Sequence, residues 1–215
     1  MGAGGHNDPL RRARWSESSL KIPIKFVLME GEFGDAVELH FGSMAPGGYA
    51  WVFPKERGAN IGLGIQNKFS KGRSLNSLAD GFISNYEGDI TFRGAGSLPM
   101  SGSIKQFVKG NHLLVGDSAG MVLPSNGAGI TIAMVGGRIA GQTVVSHLDE
   151  GTSLHEYEKE WKRQMGSVMR NSKLSFKIGS WIMRLPDWVL NLAFNPVTKP
   201  FVWRFVTCRK PFFIF

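Results

Sequence analysis

The chain has 215 residues, of which 42% are hydrophobic and 20% charged. This composition fits one large or two small globular domains and excludes a disordered or collagen-like chain. A single cysteine, Cys208, excludes a disulfide scaffold and a cysteine-rich zinc site, and no metal site is predicted. The net charge is +8, and residues 155–215 hold eleven Lys and Arg against four Asp and Glu. A basic tail that is also rich in Trp and Phe indicates a membrane surface or a nucleic acid as partner.

No apolar run reaches the ~18 residues of a membrane-spanning helix. The N-terminus also lacks the charged-then-apolar pattern of a signal peptide. We therefore predict an intracellular protein that is cytoplasmic, either soluble or peripheral at a membrane surface.

Hydrophobic periodicity predicts strands in the first part of the chain and helices in the last. Four consecutive strands, which predict a mostly antiparallel sheet, cover residues 22–30, 36–41, 49–53 and 59–65. A helix with Ser74 as its N-cap is predicted over 74–86, and a loop over 94–102. Short strands follow at 104–108 and 111–115. The predicted helices of the C-terminal half cover residues 129–147, 154–177, 187–193 and 197–205.

Alternation along the predicted strands assigns side chains to faces. One face of the first strand carries Ile22, Ile24, Phe26 and Leu28, and one face of the fourth carries Ile61, Leu63 and Ile65. In the second strand, Val37, Leu39 and Phe41 alternate with Glu38 and His40, and His40 is expected to face solvent. Residues 54–58 are predicted to turn the chain between the third and fourth strands.

The segment 113–129 combines a buried strand, an acidic turn and a glycine-flanked helix start. Asp117 follows the strand at its carboxyl end, where α/β sheets bind ligands. Gly127 and Gly129 allow close backbone approach, and the helix N-terminus that follows offers unpaired N–H groups to an anion or an electron-rich ring edge. The alternative interpretation is an ordinary strand–turn–helix in which Asp and Gly only cap the helix.

A second segment, residues 47–64, places three aromatic residues on one strand face. Tyr49, Trp51 and Phe53 alternate with other residues at period two and form a flat apolar wall. Such a wall can line a pocket for a long hydrocarbon or a flavin ring. The alternative interpretation is a sheet face that packs on the core.

Together the two segments resemble the geranylgeranyl reductase family of flavoproteins, within the para-hydroxybenzoate-hydroxylase-like fold. The family pattern Tyr-x-Trp-x-Phe-Pro followed by Gly-x-Gly is matched here by Tyr49, Trp51, Phe53, Pro54, Gly62 and Gly64. The family's flavin motif is matched by Gly116, Asp117, Ser118, Ala119, Gly120, Pro124, Gly127, Gly129 and Ile130. Both motifs stand in the family's order, and the similarity extends over residues 20–150 and more loosely to the end.

The resemblance implies an α+β fold with an antiparallel substrate-binding sheet, the C-terminal part of an FAD domain and a helical C-terminal region. The implied domains are a remnant FAD-domain loop (1–20), the sheet domain (21–108), an FAD-domain strand–loop–helix (109–150) and the helical region (151–215). A strand followed by Gly-x-Gly-x-x-Gly, which holds the ADP half of FAD in such proteins, is not found. The chain is therefore expected to be the C-terminal portion of a reductase.

The resemblance also implies FAD as cofactor and the saturation of isoprenoid double bonds in membrane lipid biosynthesis. Asp117 would bond the ribityl or pyrophosphate region, and the backbone of 127–130, with Gly116 and Pro124, would meet the flavin. Tyr49, Trp51, Phe53, Pro54, Gly62 and Gly64 would bind the prenyl chain, with Tyr49 as the candidate proton donor. The electron donor would be NAD(P)H, a ferredoxin or a deazaflavin.

Three further classes of function are weighed against this one. A flavin monooxygenase shares the fold, and a non-catalytic prenyl-lipid or membrane-surface module fits the basic, aromatic tail. That tail interleaves Lys173, Lys177, Arg184, Arg204, Arg209 and Lys210 with Phe176, Trp181, Trp188, Phe201, Trp203, Phe212 and Phe213. A helical cap with its aromatics on the sheet is the structural alternative for the tail. No nucleic-acid-binding module is recognised, so nucleic acid is not a predicted partner.

Overall fold

A computed structural model describes residues 1–16 and 20–193 and the single positions 198, 200 and 204. Its helices are α1 (Pro9–Arg14), α2 (Leu75–Ile83), α3 (Ile130–Glu150), α4 (Glu156–Ile182) and α5 (Asp187–Ala193). Its strands are β1 (Lys21–Glu30), β2 (Glu38–His40), β3 (Tyr49–Lys55), β4 (Gly58–Gly64), β5 (Asp89–Pro99), β6 (Val108–Lys109) and β7 (His112–Leu113). Short 3₁₀ turns cover Asn67–Phe69 and Gly116–Ala119. The predicted helix over 197–205 lies outside the described residues.

The chain divides into two compact units. The first, here called the helical unit, contains residues 1–21 and 98–178. The second, called the sheet unit, contains residues 22–97 and the described residues from 179 to 193. The sequence predicts a boundary after residue 108, whereas the two units divide after residue 97.

The sheet unit is built on five strands in the order β2-β3-β4-β1-β5. The pairs β2–β3, β3–β4 and β1–β4 are antiparallel, as predicted. Ile61 and Leu63 of β4 are fully buried, together with Ile65 just beyond it, which confirms the predicted face. Ser74 caps α2 by accepting a hydrogen bond from the Ser77 N–H, also as predicted.

Helix α2 decides which face of the sheet is the core. Phe82 and Ile83 of α2 pack in one cluster with Val27 and Met29 of β1. The face of β1 that carries Ile24, Phe26 and Leu28 is the opposite one, and these three side chains are only half-buried. Alternation therefore separates the two faces correctly, but the more apolar face of β1 is not the one that α2 covers.

His40, predicted to face solvent, has 34% of its side chain exposed, while the rest of the ring packs on the face that α2 covers. His40 pairs with Ala50, which lies on the face covered by α2, and its ring lies 5.2 Å from the ring of Phe82. Its neighbours Val37 and Leu39 are 66% and 38% exposed. The physical reason is the register between β2 and β3. His40 pairs with Ala50, which faces α2, so the alternation of side chains turns Leu39 to the opposite face.

Two predicted loops are strand in the structure. Pro54 belongs to β3, and the connection to β4 is the two-residue turn at 56–57. Because β2 pairs with β3 only as far as Val52, Pro54 lies where the β2 ladder has already ended. The segment 94–102, predicted as a loop from its glycines, is occupied to Pro99 by β5.

Glycine at position 94 is explained by an aromatic neighbour rather than by a turn. A Cβ on Gly94 would lie 2.3 Å from the ring of Phe26. The Phe26 ring fits against β5 because residue 94 has no side chain. Glycine in the interior of a strand often marks such a close approach.

The helical unit packs α3 and α4 around a short hairpin, β6–β7. Its core includes Leu114, Met121, Ile139, Tyr157 and Trp161. The prediction of a strand over 104–108 is wrong for most of its length, since β6 begins only at Val108. No helix among the described ranges combines the length and the apolar composition needed to cross a bilayer.

The N-terminal segment is tied to this hairpin. The Gly2 N–H donates to the Leu113 carbonyl at 2.8 Å, and the Val115 N–H donates to the Gly2 carbonyl at 2.9 Å. The Ser118 hydroxyl is fully buried, and its oxygen lies 2.7 Å from the carbonyl oxygens of both Gly2 and Val115. Ser118 therefore connects the N-terminal segment to the turn that carries Asp117.

Candidate functional site

The predicted flavin segment folds as a tight turn between β7 and α3. Gly116 begins the 3₁₀ turn with a φ of +67°, and Gly120 ends it in the left-handed conformation. A Cβ on Gly120 would lie 2.6 Å from the Gly102 carbonyl oxygen, so the turn requires glycine there for both space and conformation. This turn places Asp117 close to the start of α3.

The Asp117 carboxylate lies at the N-terminus of α3. A Cβ on Gly129 would be 3.4 Å from Asp117 Oδ1 and 3.3 Å from Val122 Cγ2. Asp117 is half-buried, and this burial raises the pKa of its carboxyl, an effect that nearby His6 partly offsets. The carboxylate is therefore partly desolvated, and a ligand that donates hydrogen bonds to it would stabilise its charge.

Helix α3 begins at Gly129 without a side-chain cap. The N-cap residue, Gly129, has no side chain to cap the first turn, and the first helical hydrogen bond runs from the Ala133 N–H to the Gly129 carbonyl at 2.8 Å. Ile130 is 82% exposed, so the first turn is open at its surface. An uncapped helix start offers N–H groups and the positive end of the helix dipole to an electron-rich group.

The loop before α3 is closed on itself around Leu123. The Asn126 and Gly127 N–H groups both donate to the Leu123 carbonyl, at 3.3 and 2.8 Å, and Gly127 has a φ of +74°. The Leu123 N–H donates to the Ala128 carbonyl at 2.9 Å. Pro124 is fully buried. The predicted cofactor residues from Gly116 to Ile130 therefore lie in one continuous, hydrogen-bonded segment of the helical unit.

Two N-terminal residues that were not predicted as site residues also influence Asp117: Arg11 bonds its backbone, and His6 acts on its carboxylate electrostatically. Arg11 is 5% exposed, and its Nη1 donates to the Asp117 carbonyl oxygen at 3.4 Å. The pKa of His6 is lowered mainly by burial, with Lys21 adding to this and Asp117 opposing it. Both residues stand more than a hundred positions before Asp117 in the sequence, so no local pattern predicts that they act on it.

Asp8 positions Arg11 by capping α1. Its carboxylate accepts hydrogen bonds from the N–H groups of Gly4 at 2.7 Å and Arg11 at 3.0 Å. Burial alone would raise the pKa of Asp8, but these backbone hydrogen bonds outweigh burial and lower it. Asp8 followed by Pro9 is the sequence signal of a helix start, and it is the one feature that could have located this contact.

The predicted aromatic wall lies on the face of the sheet unit opposite α2. The ring centroids of Tyr49 and Trp51 are 5.8 Å apart, and those of Trp51 and Phe53 are 5.9 Å apart with nearly parallel planes. Tyr49 is half-buried, Trp51 is buried at 9% exposure, and Phe53 is 36% exposed. The wall is thus packed along one side and open at Phe53.

Two contacts hold the Trp51 ring flat on the sheet. Its Nε1–H donates to Asn60 Oδ1 at 2.7 Å. A Cβ on Gly62 would lie 2.6 Å from Trp51 Cζ2, so the indole lies directly over this glycine. At Gly64 a Cβ would lie 2.9 Å from Ile24 Cγ2. The Gly-x-Gly pair therefore makes room on β4 for side chains of the neighbouring strands.

Tyr49 keeps its proton over a wide pH range. Burial raises the pKa of its hydroxyl above the usual tyrosine value. A neutral phenol is a hydrogen-bond donor and a possible source of a proton. Pro54, the last residue of the aromatic pattern, lies near the end of β3.

The fold is that of FAD-dependent hydroxylase-like enzymes. A solved structure of pqsL, a probable FAD-dependent monooxygenase from Pseudomonas aeruginosa, superposes with a TM-score of 0.58 at 15% identity. That superposition covers 85% of this chain and 55% of pqsL, and the low identity limits the likeness to the fold. A geranylgeranyl bacteriochlorophyll reductase-like protein from Thermoplasma acidophilum matches with a TM-score of 0.71 at 26% identity, covering 83% of this chain and 47% of that protein.

Sequence comparison leads to a particular family within this class. Residues 21–95 match the geranylgeranyl reductase catalytic domain. Digeranylgeranylglycerophospholipid reductase 2 of Methanothermobacter thermautotrophicus is 35% identical over 144 residues, which cover 64% of this chain and 37% of the relative. The enzyme of the same name from Methanothrix thermoacetophila is 32% identical over 212 residues, which cover 92% of this chain and 53% of the relative. The chain is similar over these stretches to members of the geranylgeranyl reductase family, and it spans between about a third and a half of these relatives.

Proposed function

We propose that this chain supplies the substrate-binding sheet and part of the flavin site of an FAD-dependent reductase that saturates geranylgeranyl chains of membrane lipid precursors. The observation that carries the proposal is the half-buried Asp117 carboxylate beside the uncapped, glycine-flanked start of α3. The family match over the sheet and the names of the relatives support the choice of substrate.

The residues of the helical unit fit the flavin part of FAD. Asp117 accepts hydrogen bonds from ribityl or pyrophosphate-side hydroxyl groups, and Arg11 holds the turn that carries it. The backbone from Gly127 to Ile130 meets an electron-rich ring edge with the positive end of α3. A bound reduced flavin supplies the hydride that saturates an alkene, and the protein supplies orientation and water exclusion.

The aromatic wall is the proposed binding surface for the prenyl chain. Tyr49, Trp51 and Phe53 offer flat apolar contact. Gly62 and Gly64 have no side chains, which leaves room on β4 for side chains of the neighbouring strands. Tyr49 is the proposed donor of the proton that completes saturation, because it carries the one hydroxyl group of the aromatic wall and that hydroxyl is protonated at neutral pH.

Peripheral contact with a membrane on its cytoplasmic side is part of the proposal. Trp181 and Trp188 are 64% and 69% exposed, and Leu192 is 70% exposed. Trp settles at the interface between lipid and water, and exposed Arg184 lies between these two tryptophans in the sequence. Lys173, Phe176 and Lys177 of the tail lie in α4, and Arg204 is also described. The tail residues Phe201, Trp203, Arg209, Lys210, Phe212 and Phe213 lie outside the described residues.

Flavin titration tests the cofactor assignment. The purified chain is titrated with FAD, and binding is followed by quenching of flavin fluorescence. Asp117→Ala removes a charged acceptor and is expected to weaken FAD binding roughly ten- to a hundredfold. Asp149→Ala, at an exposed position near the end of α3, is the matched control and is expected to bind like the parent chain. Equal affinities in the two variants would remove Asp117 from the flavin site.

Product analysis tests the reaction. The chain is supplied with FAD, a chemical reductant and a geranylgeranylated glycerophospholipid, and hydrogen gain is measured by mass spectrometry. Tyr49→Phe is expected to slow saturation and leave FAD affinity unchanged, since it removes only the hydroxyl. Oxygen incorporation in place of hydrogen gain would contradict the reductase assignment and favour a monooxygenase.

A further inference from the structure

A groove of about 420 Å³ lies in the helical unit, between α4 and the segment 103–107. Small-molecule sites have volumes of roughly 300–1,000 Å³, so the groove can hold a headgroup-sized ligand. None of its lining residues belongs to the flavin or prenyl sets described above. The groove is therefore a candidate ligand site separate from the proposed flavin and prenyl sites.

The floor of the groove is apolar and well packed. Ile104, Phe107, Trp161 and Met169 line it, and each is less than a tenth exposed. The rings of Phe107 and Trp161 meet edge to face with centroids 6.0 Å apart. Such a floor favours a ligand with an apolar portion and fixes the shape of the groove.

The rim of the groove is strongly basic. Five cationic side chains line it: Lys105, Lys159, Lys162, Arg170 and Lys173. Four of them stand on α4 at spacings of three or four residues along with Gly166, so helix geometry gathers them on one face.

The single acidic residue of the lining, Glu158, does not neutralise this rim. Its Oε1 accepts hydrogen bonds from the Phe107 and Val108 N–H groups, at 2.5 and 3.0 Å, and its Oε2 lies 3.0 Å from His155 Nδ1. Lys159 pairs with Glu156 at 2.6 Å, whereas Lys162 and Arg170 have no ion-pair partner within the described part of the chain. Both of these are exposed and available to an anion.

From these contacts we infer that the groove binds a phosphate group attached to an apolar portion. A guanidinium binds phosphate through two parallel hydrogen bonds, and ammonium groups add point charges around it. The apolar floor contacts the attached portion. The phosphate can belong to a lipid headgroup or to a soluble phosphate ester, and the two sources share this chemistry.

Gly166 provides a test that leaves the charge unchanged. It lines the groove, and a Cβ there would be 3.4 Å from Lys162 Cγ, an ordinary contact. Gly166→Leu therefore fits the helix and places its side chain in the groove. Gly141 on α3 is exposed with open space around it, and Gly141→Leu is the matched control.

A charge test accompanies the steric one. The double variant Lys162→Gln, Arg170→Gln removes two rim cations, and Lys71→Gln, Arg93→Gln removes two exposed cations that lie neither in the groove nor in the basic, aromatic tail. Binding of the full chain is measured to sn-glycerol 3-phosphate in solution, to phosphatidylglycerol vesicles and to phosphatidylcholine vesicles. Polyglutamate is included as an acidic polypeptide.

We expect both groove variants to weaken binding roughly tenfold or more, and both controls to match the parent chain. Loss confined to phosphatidylglycerol vesicles identifies a lipid headgroup as the source, and loss with sn-glycerol 3-phosphate identifies a soluble ester. Groove variants that bind like their controls would overturn the site. If the parent chain binds polyglutamate as tightly as the phosphate probes, and the groove variants lose this binding too, the groove does not select phosphate and the inference is overturned.

Discussion

Replacing Gly62 by alanine places a Cβ inside three existing contacts on the aromatic face. The new atom would lie 2.5 Å from Phe26 Cβ, 2.6 Å from the Lys25 carbonyl oxygen and 2.6 Å from Trp51 Cζ2. Ordinary carbon contacts are about 3.5–4.0 Å, so each neighbour must retreat by roughly 1 Å. The indole tip can move, but the carbonyl and Phe26 Cβ are held by the β1–β4 ladder.

Overpacking of this kind costs about 1–3 kcal/mol, and the backbone contact puts Gly62→Ala toward the upper end. The free energy of unfolding is measured by urea titration followed through tryptophan fluorescence, with the slope m checked for constancy.

Gly96→Ala is the matched control on β5. Its Cβ would meet Ile24 Cγ1 at 3.7 Å, an ordinary contact, so this change is expected to be neutral or to stabilise by up to about 1 kcal/mol. If Gly62→Ala unfolds at the same urea concentration as the parent chain, the indole does not lie over Gly62 and the account of the aromatic face is refuted.

Two further predictions concern carboxylates with shifted pKa values. Burial raises the pKa of Asp117, so stability is lost as the pH rises from the ordinary aspartate value of 3.8 through that raised pKa, and the cost is complete above it; thermal unfolding should show Asp117→Asn more stable than the parent chain at neutral pH, with the difference vanishing below 3.8. Hydrogen bonds from the Ser43 hydroxyl and N–H lower the pKa of Asp187, which stabilises the fold above 3.8 and loses that effect as the pH falls through the lowered pKa. Asp187→Ala should therefore cost about 1 kcal/mol at neutral pH and little in acid, and a cost independent of pH would contradict this assignment.

Local patterns predict the parts of the fold whose causes are local. The alternation of Ile61, Leu63 and Ile65 predicts a strand with one buried face, and the Ser74 hydroxyl predicts the start of α2. Both predictions are confirmed because strand periodicity and N-capping involve residues only a few positions apart. The order of the aromatic and Gly-Asp motifs likewise predicts the family that the comparisons support.

A glycine leads to a wrong secondary-structure prediction when it is required by a contact with a distant part of the chain. The glycines from 94 to 102 read locally as turn residues, but Gly94 stands in β5 because the Phe26 ring occupies the space of its side chain. That ring belongs to a strand more than sixty positions earlier. Local propensity cannot distinguish a glycine that bends the chain from one that makes room for a neighbour.

The candidate site likewise has features that local sequence predicts and features that only tertiary packing decides. The sequence by itself determined the residue types of the flavin turn, the aromatic row on β3 and their order along the chain, since these follow from spacing within a few residues. Tertiary structure alone decided that the Arg11 guanidinium bonds the Asp117 carbonyl, that α2 covers the Val27 face of β1, and that α4 and residues 103–107 enclose a basic groove. The physical reason is that alternation and helical period define faces, whereas the partner that covers a face is selected by packing between distant segments.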